Sequence, residues 1–392
     1  MSSLVIHSNY ARLKISDTND ILNVGLFLTT DKTLFIHDLD ENKTILSHKN
    51  INGLSTVSKT VTAIENTDFI LVAGMNGSLI ISKLVKSSSI SNYDLVVLKE
   101  IKIHKSLITA MKYLKIDDNS GYLCSIGWDT FVNVHKILID DNGEISIKAF
   151  NGYKLMTNAT SIETIYHDSL PVILVGRIES SLLSVLYIND AEDDVNSNVF
   201  EICKISLNDS EFSTHAFHPM SIANLVSSNL ITIGTNHIPY MRLITVHLPS
   251  MGEILGKLKE KGTTEIVFNE EINDYKSVLL KIGSEIELKQ SFTATIPIFR
   301  DSIISNLNSM APQDKYSSAL IFSRSDLDSR KGLWIIGDDG IIRGYDLSTG
   351  KTVIELKTDE GRIKSAFIGC NKYSKELIVS CGAMSKQIKI WV

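Results

Sequence analysis

Proline and cysteine are both scarce, with 6 prolines and 4 cysteines in 392 residues. So few prolines leave no Pro-rich linker between domains, and no Gly/Ser-rich linker stands out either. The cysteines (Cys124, Cys203, Cys370 and Cys381) lie far apart in no paired spacing. That argues against a disulfide framework and for a reducing compartment, cytoplasmic or nuclear. No run approaches the roughly 18 apolar residues of a membrane-spanning helix. The opening MSSLVIHSNYARLKIS has no basic stretch followed by a long apolar core, so neither a secretion signal nor membrane insertion is expected. An excess of positive charge is missing as well. The formal net charge is -6, so no nucleic acid is expected as a partner.

Catalytic signatures are missing too. There is no phosphate-binding G-x-x-x-x-G-K-[ST], no G-x-S-x-G and no H-E-x-x-H. The spacing His215-Ala-Phe-His218 puts two histidines on opposite faces of a strand, where they would not chelate one metal. The turns Asp117-Asp118-Asn119-Ser120-Gly121 and Asp140-Asp141-Asn142-Gly143-Glu144 are acidic but too short for an EF-hand loop. Plain hairpin chemistry accounts for them. No metal, cofactor or catalytic residue is expected, and the chain is read as not an enzyme.

What remains is strand-like nearly throughout. Hydrophobic residues make up 43% and charged residues 21%, an ordinary folded composition. Short Ile-, Val-, Leu- and Thr-rich runs alternate with turn residues. The best helix candidates are Met251 to Lys261 and Asp301 to Ser309. One unit recurs: an apolar strand ending in a small residue, a tight turn, and a second strand ending in an apolar residue ten positions on. It starts at Thr29, Gly74, Gly127, Gly176, Gly337 and Gly382, with weaker copies at Gly234 and Gly283. Near-constant spacing of four-strand length is the mark of propeller blades. Asn76-Gly77 and Asp339-Gly340 supply the positive φ of a tight hairpin.

These residues resemble the WD40 repeat, whose third strand ends in Trp-Asp or a relative. His37-Asp38 and Tyr345-Asp346 keep the Asp, and Trp391-Val392 keeps the Trp. Ser82-Lys83 and His135-Lys136 keep neither. The resemblance implies an all-β fold: a single closed β-propeller of four-stranded blades over residues 1–392. Seven blades and eight both stay open. The region 250–316 is either a degenerate blade around Gly283 or an insertion between blades. The family pattern further implies that Ser3 to His7 completes the last blade as its outer strand and closes the ring.

In that family the turn between second and third strands lies on the top face, around the central channel. On this chain such turns carry Met75, Trp128, Asp129, Arg177, His237, Tyr240, Asp338 and Met384. Aromatic, Arg and Met side chains are the types enriched at interface cores. A second candidate is the acidic run after a third strand, with Asp190, Glu192, Asp193 and Asp194 poised for a basic partner segment. Trp334 and Trp391 sit on strands and read as packing residues. The expected function is a non-catalytic scaffold within a hetero-oligomeric protein complex. Two alternatives stay open: a substrate receptor of a ubiquitin ligase, and a propeller hydrolase with a channel site. For the hydrolase, His237, Asp129, Asp338 and Asp339 are the turn residues available.

Overall fold

The computed structural model describes residues 3–49, 58–87, 92–178, 180, 182–191, 197–206, 218–225, 230–236, 241–260, 278–281, 290–296, 303–308, 332–337, 340–346, 351–359, 363–373 and 375–391. Their strands form seven sheets. The first holds β1 (Val5–Lys14), β2 (Ile21–Thr29), β3 (Thr33–Asp38) and β4 (Lys43–Lys49). The second holds β5 (Ser58–Ala63), β6 (Phe69–Gly74), β7 (Ser78–Lys86) and β8 (Tyr93–Lys102). The third holds β9 (Ile108–Lys115), β10 (Ser120–Gly127), β11 (Phe131–Ile139) and β12 (Ile145–Ala149), with β13 (Tyr153–Lys154) also paired to β11.

The fourth runs through β14 (Ala159–His167), β15 (Leu170–Arg177), β16 (Leu182–Asn189) and β17 (Asn198–Ser206). The fifth has β18 (His218–Leu225), β19 (Leu230–Asn236) and β20 (Met241–His247). After the helix α1 (Met251–Glu260), β21 (Val278–Lys281) adds to the fourth sheet and β22 (Gln290–Ile296) to the fifth. The sixth is β23 (Ile303–Asn308), β24 (Gly332–Gly337), β25 (Ile341–Asp346) and β26 (Lys351–Lys357). The seventh has three strands, β27 (Ile363–Cys370), β28 (Glu376–Gly382) and β29 (Ile388–Trp391).

The fold is all-β and propeller-like, but the expected ring of seven or eight uniform four-stranded blades is corrected. Among the described residues, five sheets carry a full meander of four consecutive strands. The fifth sheet draws its outer strand from beyond α1, and the seventh stops at three strands. Gly283, the anchor of an eighth blade, lies outside the described residues. The strands on either side of it, β21 and β22, belong to the fourth and fifth sheets. The repeat failed as a blade counter because it marks hairpins between second and third strands. A hairpin says nothing of the strands outside it.

Ring closure by the N-terminus is corrected as well. Val5 to Lys14 is one strand registered on β2 from Val5↔Thr29 to Lys14↔Ile21, with a single irregularity between Val5 and His7. Pairing stabilises a strand most where it is continuous, so Ser3 to His7 does not peel away to serve β29. Asp301 to Ser309, expected as a helix, instead contains β23.

Burial follows strand position within a sheet. Every residue of β6, β10 and β28 is buried, so these second strands are covered on both faces. Outer strand β8 is exposed or half-buried at every position but Leu95. A second strand therefore reads as an unbroken apolar run with small residues, while an outer strand such as β8 mixes apolar and charged residues. The contacts divide into two compact units, Met1–Met111 with Ile304–Val392, and Lys112–Ile303.

In the first unit the terminal sheets pack side by side without exchanging a strand. The Ser8 amide donates to Ser365 Oγ at 3.0 Å, and the two hydroxyls lie 2.8 Å apart. The Phe27 and Phe367 rings sit 5.7 Å apart in a tilted pair. Val5, Leu39, Leu377 and Val379 complete this core. Trp334 is buried with its Nε1 donating to Glu376 Oε1 at 2.9 Å, which ties the sixth sheet to the seventh.

In the second unit, α1 starts with a reciprocal cap. The Glu253 amide donates to Ser250 Oγ at 3.2 Å, and the Ser250 amide donates to Glu253 Oε2 at 2.9 Å. Asp168 Oδ2 accepts the Met251 amide at 2.7 Å, which satisfies another free N–H of the first turn. Met251 and Ile254 enter the core built around β15, β17 and β19.

Candidate protein-docking face

A four-strand meander puts two kinds of loop on one edge: the turn between its second and third strands, and the connection leaving its fourth. In the second unit these loops are laced together between the third and fourth sheets. β10 ends at Gly127 and the chain turns through Trp128, Asp129 and Thr130. Asp129 Oδ1 accepts the Phe131 amide at 3.2 Å, and Thr130 takes a left-handed φ of 66°. The Leu155 amide donates to Thr130 O at 2.7 Å and seats the 155–158 connection beside this turn. Thr157 Oγ1 donates to Ile178 O at 3.0 Å, and the Ile178 amide donates to Asn158 O at 2.9 Å.

Three large apolar side chains stand on these linked loops. Trp128 is 60% exposed, Met156 70% and Ile178 46%. Each would contribute about 1.5–3 kcal/mol if fully covered. A Trp anchor with adaptable neighbours on held backbone is the composition of a binding hot spot. Trp128 therefore stands out into solvent and does not fold back onto a neighbouring sheet.

The other expected surface residues have different fates. Met75 and Met384 are exposed, at 48% and 85%, on turns of the first unit. Asp129 is half-buried and holds its own turn. Arg177 is only 6% exposed, so its side chain is not at the surface. Its Nη2 donates to Ser180 Oγ at 3.4 Å, and it lends positive charge to the buried Glu201 carboxylate. Burial pushes the Glu201 carboxyl up, opposed chiefly by Lys204 at 3.3 Å. Such a cluster orders β15 and β17 internally.

Asp190 accepts Tyr122 OH at 2.9 Å and Lys136 Nζ at 2.5 Å. It clamps the third sheet to the fourth. His237, Tyr240, Asp338, Asp339, Glu192, Asp193, Asp194 and His215 lie outside the described residues. In the acidic turns, Asp117 Oδ1 accepts the Asn119 amide at 2.8 Å and Asp140 Oδ1 the Glu144 amide at 2.7 Å, so both carboxylates brace hairpins.

Met156 and Ile178 were missed from sequence. The one signal available was position: Ile178 lies two residues past the Gly176 anchor and Trp128 one past Gly127, both at the start of a second-to-third-strand turn. Met156 carries no such mark, because its connection joins two sheets and falls outside the repeat.

A family model described as "UCP007778, beta-propeller domain" matches residues 2–392. The uncharacterized protein YGR117C of Saccharomyces cerevisiae is 25% identical over 377 residues, which cover 91% of this chain and 68% of that protein. Among solved structures, a chain in the crystal structure of the mitotic checkpoint complex aligns with a TM-score of 0.57 at 10% identity, over 100% of this chain and 92% of that one. Likeness at that identity speaks to fold alone.

Proposed function

The chain belongs to the UCP007778 beta-propeller domain family, and from that premise we propose that it is a non-catalytic protein-interaction scaffold with divergent WD40 character. Its partners are other proteins, held in a hetero-oligomeric complex of the cytoplasm or nucleus. The WD40 character rests on residues such as Asp38, whose Oδ1 accepts the amides of Asp40 and Glu41 at 2.8 and 3.1 Å. An Asp ending a third strand thus shapes the turn that follows. A complex as the setting is in keeping with the structural neighbour, itself a chain of the mitotic checkpoint complex. On this reading residues 1–392 are one functional domain, in which 250–316 supply α1 and strands of the fourth, fifth and sixth sheets.

The observation that carries the proposal is the solvent-facing group Trp128, Met156 and Ile178 on mutually hydrogen-bonded loops. The test compares affinity purification of the tagged protein from its own cells with that of the triple variant Trp128→Ala, Met156→Ala, Ile178→Ala. All three side chains are exposed, so the variant keeps its fold, as circular dichroism checks. The wild type is expected to bring down stoichiometric proteins, and the variant to lose at least one of them by tenfold or more, about 1.4 kcal/mol. Identical partner sets from both would remove this face from the function.

A further inference from the structure

Among the described residues, the seventh sheet has an open side. β29 pairs with β28 from Ile378↔Trp391 to Cys381↔Ile388, and no described strand pairs with its other edge. All six other sheets have a strand in that place. Unpaired N–H and C=O groups along an edge are a template for another strand.

The two sheets packed against the seventh show what such a strand looks like. The first sheet meets it through β1 and β27, and the sixth through β24 and β27. Their outer strands are near-copies: β4 reads Lys43-Thr44-Ile45-Leu46-Ser47-His48-Lys49, and β26 reads Lys351-Thr352-Val353-Ile354-Glu355-Leu356-Lys357. Both sit in the same register. Phe35 faces Ser47 and Arg343 faces Glu355, and each ladder skips its third residue, Ile45 or Val353, as a bulge.

The register also fixes the charge. Arg343 pairs with Ile335, two residues before Gly337, and Lys389 pairs with Ser380, two residues before Gly382. Lys389 therefore occupies the ladder position of Arg343. Arg343 meets Glu355 of its outer strand at 3.5 Å. Lys389 Nζ donates to Thr358 O and meets the exposed Asp359 of the same connection at 3.6 Å, so no carboxylate of an outer strand faces it among the described residues. Ile388 and Ile390 are half-buried against the core shared with the first sheet, and Trp391 against that shared with the sixth. An added strand would extend both.

We infer that the outer edge of β29 binds an extended segment of a partner protein as a fourth strand, antiparallel, with an acidic residue opposite Lys389 and an aliphatic residue opposite Ile390. The affinity comes from main-chain hydrogen bonds, and the selectivity from the acid and the aliphatic side chain. This edge belongs to the first unit, and the loops that carry Trp128 belong to the second.

The test uses the full chain with a tail fused after Val392: a four-residue linker, matching the 347–350 connection, followed by the β26 sequence KTVIELK. Two control tails carry Ile354→Pro, which removes a backbone donor, or Glu355→Lys, which sets like charges together. Substitutions confined to the tail leave the folding of the rest untouched. The KTVIELK tail is expected to raise Tm by roughly 3 °C and to slow hydrogen exchange of peptide 385–391 by roughly tenfold. The proline tail should do neither, and the lysine tail less than half as much. Equal behaviour of all three tails would overturn the inference. Strong protection of 385–391 in the untailed monomer would also overturn it, since the chain would then cover its own edge. Protection that rises with protein concentration would assign the edge to a second copy and overturn the partner strand.

Discussion

Gly77 shows how much one residue can be asked to do. Its φ is +83°, and a Cβ there would lie 2.2 Å from His104 O and 2.6 Å from Ser106 O. Its carbonyl accepts the amides of Ile103 and His104, both at 3.0 Å, so the turn it sits in also anchors the connection leaving β8. An alanine would carry both a left-handed backbone and a clash with main chain that has no rotamer to escape through. Gly77→Ala is expected to cost about 2–3 kcal/mol, read as a lower urea midpoint at unchanged slope. At the corresponding turn of the third sheet Thr130 holds a positive φ without a glycine. The demand at Gly77 thus comes mostly from its crowded surroundings. The Asn-Gly signal was legible in the sequence for the turn, but the neighbouring carbonyls were not.

At the scale of elements, the cap on α1 is a self-contained device. Ser250→Ala removes the acceptor for the Glu253 amide and leaves Asp168 to hold the first turn alone. A loss of about 1 kcal/mol is expected, with chemical-denaturation curves of the two proteins as the check. The helix itself was legible at Met251 to Lys261, whereas its cap at Ser250 and Glu253 was seen only in the structure. The ten-residue anchors were readable too: Thr29, Gly74, Gly127, Gly337 and Gly382 each end a second strand. Those strands are buried on both faces and must be apolar and small-ended, so burial writes itself into composition.

Outer strands carry no such constraint. β8 is mostly exposed, and the apolar run Leu4-Val5-Ile6 suits an inner strand as well as an outer one. For that reason the strand pairing at the ends of the chain was misread. Exposure at Met156 and Ile178 was likewise hidden, because a hydrophobic residue looks the same in sequence whether covered or not.

At the scale of the whole molecule, the first unit depends on a lateral seam between its two terminal sheets. Phe367 is almost fully buried there against Phe27, beside Gly25, where a Cβ would come within 2.9 Å of the Phe367 ring. No described strand crosses this seam, so side-chain packing, the Ser8–Ser365 bonds and the Lys372 amide donating to Asp40 Oδ1 hold it. Phe367→Ala is expected to cost about 3–5 kcal/mol. Limited proteolysis should then release the 363–391 region before the first sheet is cut. Simultaneous loss of both would mean that the terminal sheets are not separable.

The first sheet is built wholly from residues 5–49. A clasped ring would leave its opening segment waiting for the end of the message to be translated. Here β1 finds its strand partner within residues 5–49, without waiting for any distant part of the chain. Four other sheets likewise complete a meander from adjacent residues, so most of the protein's strand pairing is short-range and can keep pace with synthesis.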